Sequence, residues 1–174
     1  MSKTKWTLDP AHSEIQFKVK HMMIATVTGN FDRFNVNVES DKDDFSDADI
    51  SFSAETASVN TGSEQRDGHL KSADFFDSET YPEMKFQATS FSPADNALQG
   101  NLTIKEITKP VKLDVEFGGV GKDPWGNTKA GFTLSGKINR KDWDLNWNAA
   151  LETGGVLVSE DVRLLGEIQL MKAA

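Results

Sequence analysis

Polar and apolar residues alternate at every second position through most of this chain, and no other feature constrains its fold as strongly. In 13–21, SEIQFKVKH, Ile15, Phe17, Val19 and His21 fall on one side; Glu14, Gln16, Lys18 and Lys20 fall on the other. That is the period of a β-strand with one buried face. The same pattern recurs around Phe34–Val38, Ile50–Thr56, Met84–Thr89, Leu98–Lys105, Val111–Phe117, Lys129–Ile138 and Val162–Leu170. Eight strands are predicted, the longer ones spanning roughly 30 Å. A parallel sheet would be apolar on both faces, so an antiparallel sheet is expected. Turn signals lie at 92–97 (SPADNA), 108–110 (TKP) and 118–127 (GGVGKDPWGN), and 144–155 reads as a long loop before the last strand.

One stretch does not alternate: QRDGHLKSADFFD, 65–77. Ahead of it, Thr61, Gly62, Ser63 and Glu64 fit a capping box with Thr61 as N-cap. A helix over about 62–72 would put Arg66, His69, Leu70 and Ala73 on one side, and Gly68 would keep it short or bent. No second domain or internal repeat is visible, so one domain over 1–174 is expected.

Eight antiparallel strands with one dry face either close on themselves or stack as two sheets, and closure removes exposed edges. An eight-stranded barrel can be filled by side chains or hold one small ligand. The inward positions mix Phe17, Phe34, Phe52, Phe86, Phe117 and Phe132 with Ala54, Ala88, Gly100, Ala130, Gly136 and Gly166. The small residues favour a cavity, since a filled interior calls for bulk at those sites. Glycines at strand bends are the alternative. The expected wall includes Phe17, Val19, Phe34, Phe52, Phe86, Leu102, Phe132, Gly100 and Ala130, and it carries almost no charge.

Composition narrows the chemistry. The chain has no cysteine, which excludes disulfides, thiolate catalysis and Cys-ligated zinc. A net charge of −8 argues against nucleic acid and against docking on anionic membranes. No apolar run of about 18 residues is present, so no membrane-spanning segment is expected. The N-terminus, MSKTKWTLDPAHS, is not a secretory signal, and the cytoplasm is the expected location. The acidic run 39–49, ESDKDDFSDAD, lacks the EF-hand spacing and reads as a solvated loop. His12, His21 and His69 match no local metal motif, and no metal is expected.

Several spaced pieces match a known family in order. They are WTLDPAHSEIQFKVKH at the start, GNFDRF (29–34), RDGHLKSADFFD (66–77), YPEMKF (81–86) and GNLTIKEITKPVKLDV (100–115). NRKDW (139–143) and GGVLVSEDVRLLGEIQL (154–170) follow. The chain resembles the polyisoprenoid-binding YceI-like family over nearly its whole length. The resemblance implies an all-β, extended eight-stranded antiparallel lipocalin-like barrel with one short helical segment between strands. It also implies a cavity for an isoprenoid, a quinone-type lipid or a related long-chain amphiphile, and a homodimer. The family often has Phe-Gly after Arg-x-Asp, where this chain has Trp143 and Asp144.

The polar residues leave alternatives open. His21 ends an inward apolar face, as a satisfied core group or as a donor to a lipid headgroup. His12 fits a turn contact with Ser13 or Asp9. Arg66, Asp67, His69 and Phe76 belong to a helical cover whose polar groups either tie down the barrel end or meet a headgroup. Non-enzymatic binding and carriage or storage of an amphiphile, with no cofactor beyond that ligand, is the function expected. Two others stay open: an enzyme using Asp67 and His69 as acid and base, and a filled barrel acting as a structural module. The sequence also leaves open whether Phe31, Phe45 and Phe91 form a dimer surface.

Overall fold

A computed structural model of the chain describes residues 3–22, 24–148 and 158–173. Its strands are β1 (Lys5–Leu8), β2 (Glu14–His21), β3 (Ala25–Phe31), β4 (Phe34–Glu39), β5 (Asp49–Glu55) and β6 (Val59–Asn60). After the helix α1 (Glu64–Lys71) come β7 (Glu83–Ser92), β8 (Ala97–Ile104), β9 (Ile107–Lys122), β10 (Thr128–Asn139) and β11 (Asp161–Lys172). All pairings are antiparallel, and the order β1-β4-β5-β7-β8-β9-β10-β11 returns to β1, closing an eight-stranded barrel. Each of the eight alternating runs forms a strand.

The alternation did not reveal β1 and β3. β11 pairs with β2 from Arg163↔Lys18 to Glu167↔Glu14, then with β1 from Leu170↔Leu8 to Lys172↔Trp6. β1 and β2 are thus one wall strand broken by a 3-10 turn at Pro10–His12. β3 and β4 are likewise interrupted at Asp32–Arg33, with β3 on β2 and β4 on β1. β3 carries Val27 and Phe31 inward but has Ala25 and Gly29 at the intervening sites, which weakens its apolar signal. A Cβ on Gly29 would fall 2.4 Å from Phe17 Cζ, so the missing methyl is occupied by the neighbouring ring.

The predicted turn at 108–110 lies inside β9. The chain reverses instead at Lys105 and Glu106, where Ile104 pairs with Ile107 and Lys105 takes the left-handed conformation of a tight hairpin (φ 58°). Pro110 is accommodated because β10 joins β9 only from Asp114 onward, leaving one side of β9 unpaired at the proline. The loop expected at 144–155 is described as far as Asn148 and has no regular structure there; the rest lies outside the described residues.

β11 sets two ends for the barrel: Asp161 lies beside Asn139 and Lys172 beside Trp6. The acidic loop 40–48 closes the Lys172 end. Asp47 accepts hydrogen bonds from Ser40 Oγ, from the Asp41 amide at 3.0 Å and from the Lys42 amide at 3.2 Å, which hold its pKa down to about 2. So tied, the loop drives Phe45 into the barrel against Trp6, Phe117 and Phe132, with ring centroids 5.1, 5.4 and 5.1 Å away and the ring 1% exposed. Phe31 and Phe91 are buried as well, so these three phenylalanines form interior packing, not an outer surface.

The Asp161 end is closed partly by the turn Arg140–Trp143, whose Trp143 Nε1 donates to the Leu102 carbonyl at 2.9 Å. Asp144 follows in the left-handed region (φ 60°), the conformation glycine adopts without strain.

Candidate functional site

α1 covers the remaining part of that end. Ser63 is its N-cap, accepting from the Arg66 amide at 3.3 Å, so the expected Thr61 cap is displaced by two residues. Thr61 serves another purpose. Its amide and hydroxyl both donate to Asp67 Oδ1, at 2.8 and 2.6 Å, while Arg66 donates to its hydroxyl and carbonyl, each at 2.7 Å. The helix is therefore laced to the preceding loop through its first turn. Leu70 and Phe76 face the barrel, and Phe76 meets Phe31 edge-on at 5.7 Å.

Inside lies a cavity of about 670 Å³, within the usual range for ligand sites. Phe17, Val19, Phe52, Phe86, Leu102 and Phe132 form part of its wall. His21, Arg66, His69 and Phe76 stand at its α1 end. Four expected residues lie elsewhere. Gly100 is covered, because a Cβ there would fall 2.5 Å from Phe86 Cζ and from the Gln87 carbonyl oxygen. Ala130 is fully buried between neighbouring strands and does not reach the cavity. Phe34 follows the break at Asp32–Arg33; it packs on Phe52 (6.1 Å) and borders an outer depression beside Pro10, Arg33 and Glu55. Asp67 is turned to Thr61.

The expected reason for the cavity is therefore wrong even though the cavity exists. At Gly136 and Gly166 the missing methyls are again occupied, by Leu113 and by Leu134 with Ile15. Small residues let large ones lie flat against the wall. The space comes from barrel circumference, not from methyl-poor patches.

The polar end has a defined geometry. His69 Nε2 meets Asp74 Oδ2 at 2.9 Å, and the His69 ring stands edge-on to Phe75 (5.1 Å) and Trp147 (4.6 Å). Asp67 is not its partner. Arg140, which sequence reasoning quoted within NRKDW but gave no role, is 3% exposed and borders the cavity. It donates to the carbonyls of Ser159 (2.9 Å), Leu145, Trp147 (2.9 Å) and Val158 (3.3 Å). Burial lowers its pKa, and the more distant charge of Glu160 acts in the opposite sense. The signal that could have found it is an arginine two residues after the inward Ile138, hence on the same side, at a strand end. His12 contacts Asp9 at 2.9 Å, the turn contact expected of it. No group of three or more His, Asp or Glu among the described residues is arranged to hold a metal ion.

A YceI-like domain model matches residues 6–170. This chain belongs to the YceI-like family. A UPF0312 protein of Staphylococcus aureus is 44% identical to this YceI-like chain over 161 residues, 92% of this chain and 93% of its own. The crystal structure of the Campylobacter jejuni YCEI protein is 34% identical, covers 96% of this chain and 97% of that one, and superposes with a TM-score of 0.76. A polyisoprenoid binding domain from Saccharophagus degradans shares the fold (TM-score 0.67, covering 97% and 98%) at 15% identity.

Proposed function

We propose that this YceI-like protein binds a long-chain, mostly hydrocarbon amphiphile, isoprenoid or quinone-like, and carries or stores it without changing it chemically. The observation that carries this reading is the hollow barrel: about 670 Å³ walled by Phe, Leu, Ile and Val side chains, with polar groups gathered at one end. Each CH₂ of a tail placed there gains about 0.8 kcal/mol, so a chain of modest length repays its lost freedom. The Saccharophagus degradans neighbour, a polyisoprenoid binding domain, supports the ligand class through its fold.

The alternative of acid–base catalysis by Asp67 and His69 gains no support from the geometry. Asp67 is held by Thr61, and the partner of His69 is Asp74.

Solvent extraction of gently purified protein, followed by mass spectrometry, should release a long-chain lipid near one equivalent. Delipidated protein should take up added isoprenoid alcohols. Lipid-free extracts together with no uptake would refute the binding function.

A further inference from the structure

Among the described residues, the ionisable side chains that border the cavity belong to Lys20, His21, Arg66, His69 and Arg140, and every one is of a basic type. No Asp or Glu among the described residues borders it, although the chain as a whole carries −8. Such a separation runs against composition and so needs a local cause.

Arg140 lies at the centre of this end and is linked to its neighbours largely through their backbone. Arg140 donates to Ser159 O, while Ser159 exchanges hydrogen bonds with the Lys20 backbone at 3.0 and 3.1 Å; the Lys20 ammonium itself donates to Thr26 Oγ1 at 2.9 Å. His21 bridges to Val158, whose carbonyl takes another Arg140 donor. On the other side, Arg140 donates to the carbonyl of Trp147, whose ring touches His69. Arg66 lies one turn before His69 on α1. The nearby carboxylates are engaged elsewhere: Asp67 with Thr61, Asp74 with His69 outside the cavity, and Glu160 with Lys141 at 2.8 Å.

Arg140 is the decisive member. Carbonyl oxygens satisfy its hydrogen bonds without cancelling its charge; among the described residues no carboxylate forms an ion pair with it, and Glu160, which acts on it from farther off, is paired with Lys141. A buried charge with no counter-charge in direct contact is costly, and an anion brought beside it recovers part of that cost.

Resting on the carrier reading above, the geometry points to an amphiphile with an anionic headgroup, a carboxylate or a phosphate, seated at the Arg140 end with its tail along the barrel. Uncharged alcohols and amides of equal chain length fit the tail site but leave the guanidinium uncompensated.

The test is displacement of an uncharged apolar fluorophore from delipidated protein by hexadecanoate, monohexadecyl phosphate, hexadecanol and inorganic phosphate. One or both tailed anions should bind at least about tenfold more tightly than hexadecanol, with the gap narrowing as salt rises. Arg140→Gln should close the gap by lowering the affinity for the tailed anions at least about tenfold more than that for hexadecanol. Should that variant fail to fold, Arg66→Gln, at the α1 end of the cavity, should shrink it by about threefold. Equal affinity for anions and alcohol overturns the headgroup assignment and leaves the carrier reading intact. Failure of every tailed compound overturns the carrier reading itself. Competition by inorganic phosphate as strong as by its hexadecyl ester assigns the basic end to a free anion and overturns the lipid headgroup.

Discussion

At the scale of single residues, glycine acts here as a recess for a neighbour. Gly100 and Gly136 both face occupied space, but their neighbours differ: backbone around Gly100, the movable tip of Leu113 at Gly136. Gly100→Ala should therefore destabilise by about 1–3 kcal/mol and Gly136→Ala by clearly less, measured by urea unfolding. Charge offers a second case. Lys129 donates to Asp9 Oδ2 at 2.6 Å with both side chains largely buried, and this bond, aided by His12, lowers the Asp9 pKa below 3.8. A depressed carboxylate pKa stabilises above the unfolded value and ceases to do so as pH falls through the folded one. Asp9→Asn should thus cost about 1–3 kcal/mol near neutrality, and the difference from the parent should begin to shrink only as pH falls below about 4, disappearing once pH passes below the lowered folded pKa. The inward alternation of Phe17, Phe52 and Phe86 could be read from the sequence. The destination of each glycine could not, because local pattern fixes a side and says nothing about which ring lies across the strand.

At the scale of elements, α1 is legible as a helix and only partly legible as a device. The apolar signal is weak, and what seats it is the pairing of Asp67 and Arg66 with Thr61, a contact between loop and first turn that no periodicity records. Asp67→Ala should loosen this cover at a cost of about 1–3 kcal/mol. Hydrogen exchange should then show faster loss of protection at the Thr61 amide and across α1, with the barrel strands unchanged. Unaltered exchange across 61–71 would show that Leu70 and Phe76 alone hold the helix. β1 and β3 escaped notice for a related reason: β1 has four residues, and β3 uses alanine and glycine where a strand usually displays bulk.

At the scale of the whole molecule, closure and hollowness belong to different levels of information. Alternation specifies a one-sided antiparallel sheet, and a sheet of this size closes. Whether the closed form is empty depends on strand number and on how side chains lie along the wall, which no single segment encodes. Val162 borders the cavity opposite Ile138. Val162→Phe should reduce the free volume, preserve the far-ultraviolet circular dichroism, and lower the uptake of the longest amphiphiles before that of shorter ones. Unchanged uptake across chain lengths would place the tail elsewhere. Phe45 carries a final consequence. Because its ring stoppers the floor at the Lys172 end, an amphiphile bound as proposed above would have to back in tail first from the α1 end. A waiting molecule then cannot push its predecessor out through the other side. Under that proposal, exchange would be governed by how fast the occupant leaves, however abundant its replacement.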